Sequence, residues 1–365
     1  MAVGLYFHIP FCMRKCPYCD FYSLVFSEEM QDEFTAAVVR NILSCGGESV
    51  DTIYFGGGTP SLLSAESYVK IFKAISDNFK LESPEISLEA NPGTIDYNKL
   101  KRLRELGFNR ISFGVQSLSD NELSALGRIH TSAQAENAVI LAKSAGFENI
   151  SADIILGLIG QDENSLSSTI DRLCSLPVSH ISAYMLKIEK NTPFNSPEII
   201  RQLPDDEKTA DIYLFAAEKL EKNGFLQYEI SNFSKPGLEC RHNLKYWRCE
   251  EYIGIGPSAH SYFNNKRYFS PPSLDDFVFS KIQREIITEE KPHSFEEAAM
   301  LTLRLSEGLS KKVCDEFGID FFNMAKKAAP LKKSGLVKIT NDKIMLTKAG
   351  FLVSNTVIFK LIHEI

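Results

Sequence analysis

Along the first 235 residues, short apolar runs alternate with longer stretches in which apolar side chains recur every three or four positions. The short runs, at 4–8, 52–55, 85–89, 110–115, 150–156 and 180–188, have the length and the β-branched or aromatic content of strands. The stretches between them read as helices. In 28–43, Met30, Phe34, Val38 and Ile42 fall four apart and make one apolar stripe. Ser64 is placed to cap the next helix, whose buried face would be Val69, Phe72, Ile75 and Phe79. Ser119 and Glu122 have the spacing of a capping box. Glycine followed by phenylalanine recurs at 107–108, 146–147 and 224–225, each time after a helical stretch. A glycine there suits the left-handed position that ends a helix.

Strands alternating with helices predict an α/β fold with a parallel sheet. Six such units make a partial, TIM-like (β/α)6 barrel over residues 1–235, with ligands at the C-terminal ends of the strands. An open doubly wound sheet fits the same alternation. Residues 236–290 read as a connecting region. From 291 to 365 the texture changes: 295–305, 311–316 and 321–331 read as helices. Two strands, 336–339 and 344–346, flank a turn at 341–342, completing a small helical, winged-helix-like domain. Nine lysines stand against four acidic residues between 311 and 348. No arginine or aromatic groove accompanies them, so they read as a solvated face and not as a nucleic-acid interface.

Composition narrows the classes. The 365 residues are 44% hydrophobic and 24% charged, with a formal charge of −7, which argues against a surface built throughout for nucleic acid or anionic lipid. No apolar run approaches the ~20 residues of a membrane helix, and the first eleven residues lack the basic start of a signal peptide. A cytoplasmic protein is expected, with peripheral membrane contact left open. Of eight cysteines, Cys12, Cys16 and Cys19 crowd into eight residues, while Cys45, Cys174, Cys240, Cys249 and Cys314 are scattered. That spacing suits a metal or cluster site better than a disulfide framework.

Three thiolates on one short loop suit a 4Fe–4S cluster with one iron left open. A closed zinc site would want a fourth ligand, and His8 lies too near its strand to supply one easily. Glycines 56 to 58, then Thr59 and Pro60, follow a strand and precede a helix; they lack the ending of a nucleotide P-loop. Glu89, Gln116 and Asp153 fall where strands end, with Arg128 shortly after, and polar groups so placed can converge on one mouth.

The cysteine spacing resembles the signature of the radical S-adenosylmethionine (SAM) superfamily. The run from Tyr6 to about Tyr262 resembles the family of oxygen-independent coproporphyrinogen III oxidases and the related heme chaperones of the HemW type. The resemblance implies a 4Fe–4S cluster on Cys12, Cys16 and Cys19. It implies SAM bound by Tyr6, Tyr18, Gly57, Gly58, Thr59, Glu89, Gln116, Arg128 and Asp153. Lys187 and His260 stand where the oxidases place other contacts, which sets this chain apart at the second SAM position. No catalytic residue is assigned. The oxidases continue to a fourth cysteine, where this chain has Asp20 and Phe21 after Cys19, and they carry a longer N-terminal segment. Residues 242 to 247 spell His-Asn-x-x-Tyr-Trp, the mark of the chaperone branch. The implied function is therefore binding heme and transferring it to acceptor hemoproteins, respiratory ones among the candidates. Oxidative decarboxylation of coproporphyrinogen III is the alternative. Within that resemblance His242 is the candidate ligand of heme iron, with Tyr246 and Trp247 packing on the macrocycle; Cys240 and Cys249 read as structural thiols.

Overall fold

In the computed structural model, which describes residues 2–363, six parallel strands follow one another in chain order. They are β1 (Val3–Ile9), β2 (Ser49–Gly57), β3 (Lys80–Ala90), β4 (Arg110–Gln116), β5 (Asn149–Leu156) and β6 (His180–Met185). Each is hydrogen-bonded to the next. Helices Glu28–Ser44, Ala65–Asn78, Tyr97–Glu105, Ser132–Ser144 and Glu163–Ser175 lie in the connections. A doubly wound sheet reverses its strand order at a switch point. The unbroken order here is that of a barrel wall, so the partial (β/α)6 reading holds.

The wall stays open. Beyond β6 lie β7 (Leu226–Gln227) and β8 (Asn232–Ser234), with β8 antiparallel to β6. On the far side of β1 lies β9 (Tyr252–Ile255), parallel to it. Antiparallel β10 (His260–Phe263), β11 (Lys266–Phe269) and β12 (Ile286–Glu290) follow. One sheet results, in the order β12-β11-β10-β9-β1-β2-β3-β4-β5-β6-β8-β7. The region read from sequence as a connector thus extends the barrel wall past its first strand.

Local signals explain most helix ends. Ser27, Ser64, Asp96, Thr131 and Asp162 each accept a backbone N–H from the first turn of the helix they precede. Gly107, Gly146 and Gly224 follow helix ends at φ of 111°, 97° and 83°, the region that favours glycine. Two expectations shift. Helix Ala65–Asn78 buries Tyr68, Ile71, Ala74 and Ile75 and leaves Val69 exposed. The cause is Tyr68, whose ring enters the aromatic group around Phe55 and Phe108 while its hydroxyl donates to Pro60 O at 2.7 Å. Ser119 caps its helix, but Glu122 turns inward to accept from Ser117 Oγ at 2.6 Å and Gln161 Nε2 at 3.3 Å.

Alternate residues along the six strands face opposite ways. Leu5, Phe7, Ile53, Phe55, Leu88, Ile111, Phe113 and Ile181 lie under the helices in the main apolar core. Tyr6, Thr52, Tyr54, Glu89, Arg110, Ser112, Asp153 and Ser182 face the other way, inside the barrel. Many barrels of this class fill that interior with Val, Ile and Leu. This one keeps it polar.

Residues 295–363 form helices around a small sheet. Leu309–Ser310 pairs with Lys343–Leu346, which pairs with Val337–Ile339, so the expected two-stranded wing has a third strand. Helix 321–331 divides into Phe321–Lys327 and Ala329–Lys333, and Lys348–Leu352 and Ser354–His363 follow. Ser306 N–H donates to Tyr228 O at 2.9 Å and Lys348 Nζ lies 2.6 Å from Glu221 Oε2, tying this part to the barrel.

Candidate functional site

The strands' C-terminal ends open on a cavity of about 400 Å³, within the range of small-ligand sites. Its wall includes Cys12, Cys16, Cys19, Tyr18, Gly57, Gly58, Thr59, Glu89, Gln116, Arg128 and Asp153. Every residue named from the sequence as a SAM contact except Tyr6 therefore faces one space. Tyr6 lines the adjoining cavity, described below.

The cysteine loop leaves β1 and is pinned at several points. Phe11 and Cys12 pair with Leu24 and Val25, and Cys19 N–H donates to Cys16 O at 3.1 Å. Gly58 N–H donates to Ile9 O at 2.8 Å and Thr59 N–H to Phe11 O at 2.7 Å. A Cβ on Gly58 would lie 2.7 Å from Phe11 O. Glycine here lets the end of β2 pass against the cysteine loop, a packing reason beside the ligand role read from sequence. Two polar hydrogens meet the sulfurs: Thr59 Oγ1 lies 3.5 Å from Cys12 Sγ and Arg128 Nη1 lies 3.5 Å from Cys16 Sγ. Burial pushes the Cys19 thiol up from its ordinary range, which a bound metal would offset. Among the described residues no three His, Cys, Asp or Glu side chains are spaced to share one ion. A 4Fe–4S cube asks for no such convergence, because each thiolate sits on its own iron. Three soft donors on a loop bordering a cavity fit that group.

Arg128 links the loop to the strand ends. It donates through Nη2 to Gly114 O at 2.8 Å and to Asn91 Oδ1, and lies 3.4 Å from Tyr18 Oη. Asn91 in turn donates to Thr59 Oγ1 at 2.8 Å. The Nε of Arg128 is buried without a partner, so the residue holds donor capacity in reserve. Gln116 ends β4 beyond an irregular pairing step and takes φ 64°. That conformation is uncommon for a side-chain-bearing residue and is found at functional turns.

Two carboxyls complete the wall. Glu89 accepts from Tyr54 Oη at 2.8 Å and from Gly57 N–H at 3.1 Å. Burial pushes it up to about 7, with Asp153 adding repulsion. Asp153 accepts from Ser182 Oγ at 2.7 Å and Ser112 Oγ at 3.0 Å, and burial raises it too. Arg110 lies between these groups, 2% exposed, with Nε unpartnered. Lys187 borders the cavity but is engaged with Glu189 at 2.5 Å.

The His-Asn-x-x-Tyr-Trp motif forms helix Arg241–Trp247, which packs at the strands' N-terminal ends. His242 is fully buried. Its Nδ1 meets Thr52 Oγ1 at 2.8 Å and its Nε2 meets Tyr246 Oη at 2.8 Å, while its backbone N–H donates to Glu85 Oε1. Burial, with Lys245 and Arg110 nearby, lowers it to about 3, so the ring is neutral. Both ring nitrogens are spent, and the ring is wedged against Gly4, whose added Cβ would lie 3.1 Å from it. The sequence reading made His242 a candidate heme-iron ligand; in this structure hydroxyls engage both of its ring nitrogens, and the residue anchors its helix. Trp247 lines neither cavity. Asn243 lines both. Cys240 is raised to about 12 and Cys249 to about 11, mainly by burial, as expected of structural thiols.

The second cavity, about 430 Å³, shares Phe21, Tyr54, Glu89, Tyr184 and Asn243 with the first and adds Tyr6, His8, Tyr246, Tyr252, Ser258 and His260. Sequence reasoning missed most of this wall, together with Asn91, Arg110, Ser112 and Ser182. The signal that could have found them is polarity at every second position inside the short strand runs.

Comparison with known proteins places this geometry. Residues 6–173 match the radical SAM superfamily and residues 290–353 match the HemN C-terminal domain. The chain is 35% identical to heme chaperone HemW of Lactococcus lactis, across 98% of this chain and 97% of that protein. It is also 35% identical to heme chaperone HemW of Bacillus subtilis, across 99% of each. Its fold matches the solved coproporphyrinogen III oxidase (HemN) of Escherichia coli with a TM-score of 0.81, covering 100% of this chain and 91% of that one at 22% identity. With full-length relatives at this identity, the chain belongs to the HemW family of the radical SAM superfamily.

Proposed function

We propose that this protein is a heme chaperone: it binds heme and passes it to acceptor hemoproteins in the cytoplasm, respiratory ones included. It also holds a 4Fe–4S cluster on Cys12, Cys16 and Cys19 and SAM in the adjoining cavity. The observation that carries the reading is the meeting of three thiols, two of them hydrogen-bonded by Thr59 and Arg128, with a cavity that Glu89, Arg128 and Asp153 also line. The names of the full-length relatives supply the heme half. Bound there, the cluster would supply one-electron chemistry and an open iron for the amino acid end of SAM.

The chain's own residues then have definite work. Thr59 and Arg128 hold the Cys12 and Cys16 sulfurs in place by hydrogen bonds. Glu89, poised near neutrality, accepts from an ammonium or hydroxyl donor, and Asp153, braced by two serines, suits a ribose. Asn91 and Gly114 hold Arg128 in place. Among the described residues no helix is long and apolar enough to cross a membrane.

The test is anaerobic. The protein is reconstituted with iron and sulfide, then given SAM, reductant and coproporphyrinogen III. In parallel it is loaded with heme and mixed with an apo-hemoprotein. Four irons per chain, heme transfer and no divinyl product are expected. Catalytic formation of the divinyl product would make it an oxidase that dispenses with the fourth cysteine.

A further inference from the structure

We propose that the second cavity is the tetrapyrrole site and that His260 is its iron ligand. The inference rests on the heme reading above and assigns that ligand a place and a donor.

The cavity's walls suit a flat aromatic guest. Tyr6, Tyr54, Tyr184, Tyr246 and Tyr252 surround it, and Phe21, 60% exposed, stands at the rim. Aromatic faces stack on a macrocycle without specifying its edge, and tyrosine hydroxyls tolerate a wet, partly polar guest. Two histidines face the cavity, and geometry separates them. His8 Nε2 meets the Tyr22 carbonyl at 2.9 Å, so it must carry the proton; Nδ1 is then the acceptor for Tyr6 Oη at 3.1 Å. No lone pair of His8 is free.

His260 differs on each count. It sits at the start of β10, exposed at the cavity edge, and neither ring nitrogen has a hydrogen-bond partner among the described residues. Its ring stacks on Phe269 with centroids 5.4 Å apart and planes at 22°, which fixes its orientation. Of the remaining histidines, His180 and His242 spend both nitrogens on hydroxyl partners. His130 is buried against Val115 O. Neither His293 nor His363 borders the cavity.

The two cavities share Tyr54, Glu89, Tyr184 and Asn243 as a party wall. A macrocycle beside His260 would therefore sit against the SAM cavity without displacing the groups at the cysteine loop. Cluster occupancy and heme occupancy become compatible in one chain.

The test uses the full chain titrated with ferric hemin and followed by absorption and electron paramagnetic resonance. The wild type is compared with His260→Gly, His260→Met and His242→Ala. His260→Gly is expected to shift the Soret band and weaken hemin binding by about tenfold or more. Added imidazole should restore the wild-type band, a rescue that a merely structural role would not show. His260→Met should move the spectrum toward thioether ligation. His242→Ala should keep the wild-type band at reduced stability. Hemin bound by His260→Gly with an unchanged band would overturn the assignment and leave the heme reading intact. A wild type that binds no hemin would remove both.

Discussion

The two faces of the barrel strands carry opposite chemistry although they belong to the same residues' neighbours. The outer face is an aromatic and aliphatic sheath: Phe55 is fully buried, with ring centroids of Phe7, Tyr68, Phe72 and Phe108 within 4.7–5.8 Å. The inner face holds Glu89, Arg110, Asp153 and their hydroxyl partners. Apolar packing accumulates on one side of the wall and polar, charged groups on the other, where we propose that ligand is recognised. A period-two pattern is enough to keep them apart, because a strand turns successive side chains to opposite faces.

Substitutions can break that division or sharpen it. Phe55→Ala should have the largest effect, a loss of about 3–5 kcal/mol in urea unfolding, because it empties the centre of the outer sheath. If it left stability intact but abolished SAM binding, the division would be wrong. Lys245→Met comes next. Lys245 is nearly buried, 2.9 Å from Asp51 and 3.1 Å from Glu250, and donates to Ala2 O. Removing it leaves two carboxylates facing an apolar group, for an expected loss of about 2–4 kcal/mol in the same assay.

Glu89→Gln is an inner-face change of the opposite sign. A carboxyl raised from its ordinary value to about 7 keeps its proton in the folded chain across a window where the unfolded chain has lost it. Stability therefore falls as pH rises from about 4.5 to about 7. Glutamine keeps one acceptor oxygen, for the Gly57 N–H, and turns an amide N–H2 toward Tyr54 Oη, which can accept from it, while carrying no charge. Melts at pH 8 should show a gain of about 1–3 kcal/mol, with SAM binding lost. Glu229, also raised to about 7 by burial, contributes with the same sign, so the slope should flatten without vanishing. Ser112→Ala should move stability least, by about 1 kcal/mol or less. It would still push Asp153 further up by removing one of its donors, read as SAM binding that weakens sooner than in the wild type as pH falls.

The same division explains what the sequence disclosed. Helix stripes, caps and strand runs were legible because they depend on neighbours a few positions apart. The cysteine loop and the ends of β3 and β4 were legible too, since a spacing of thiols and a polar residue closing an apolar run are local signals; Asp153, expected at a strand end, lies mid-strand in β5 on the inward face. The inner wall was harder. Arg110 opens its strand run and reads as a charge at its edge, yet it is the first inward position of β4 and is buried. Ser112 and Ser182 are small enough to pass unnoticed among apolar neighbours. β9 to β12 escaped notice because strands of four or five residues leave little periodicity. The pairing of β9 with β1 also joins residues some 248 positions apart, as Gly4 with Tyr252. His242 shows why its role was not legible: aromatic and hydroxyl neighbours serve a buried anchor as well as an iron ligand.

That long pairing has a consequence during synthesis. β1 gains β2 early, but its other edge stays bare until residues near 252 leave the ribosome. At ordinary elongation rates that interval is roughly ten to fifty seconds. Throughout it the cysteine loop hangs from a strand whose second neighbour does not yet exist, and an unpaired edge invites association with other nascent chains. Iron–sulfur assembly machinery would meet either a half-built wall or a finished one, and only the finished wall carries His260.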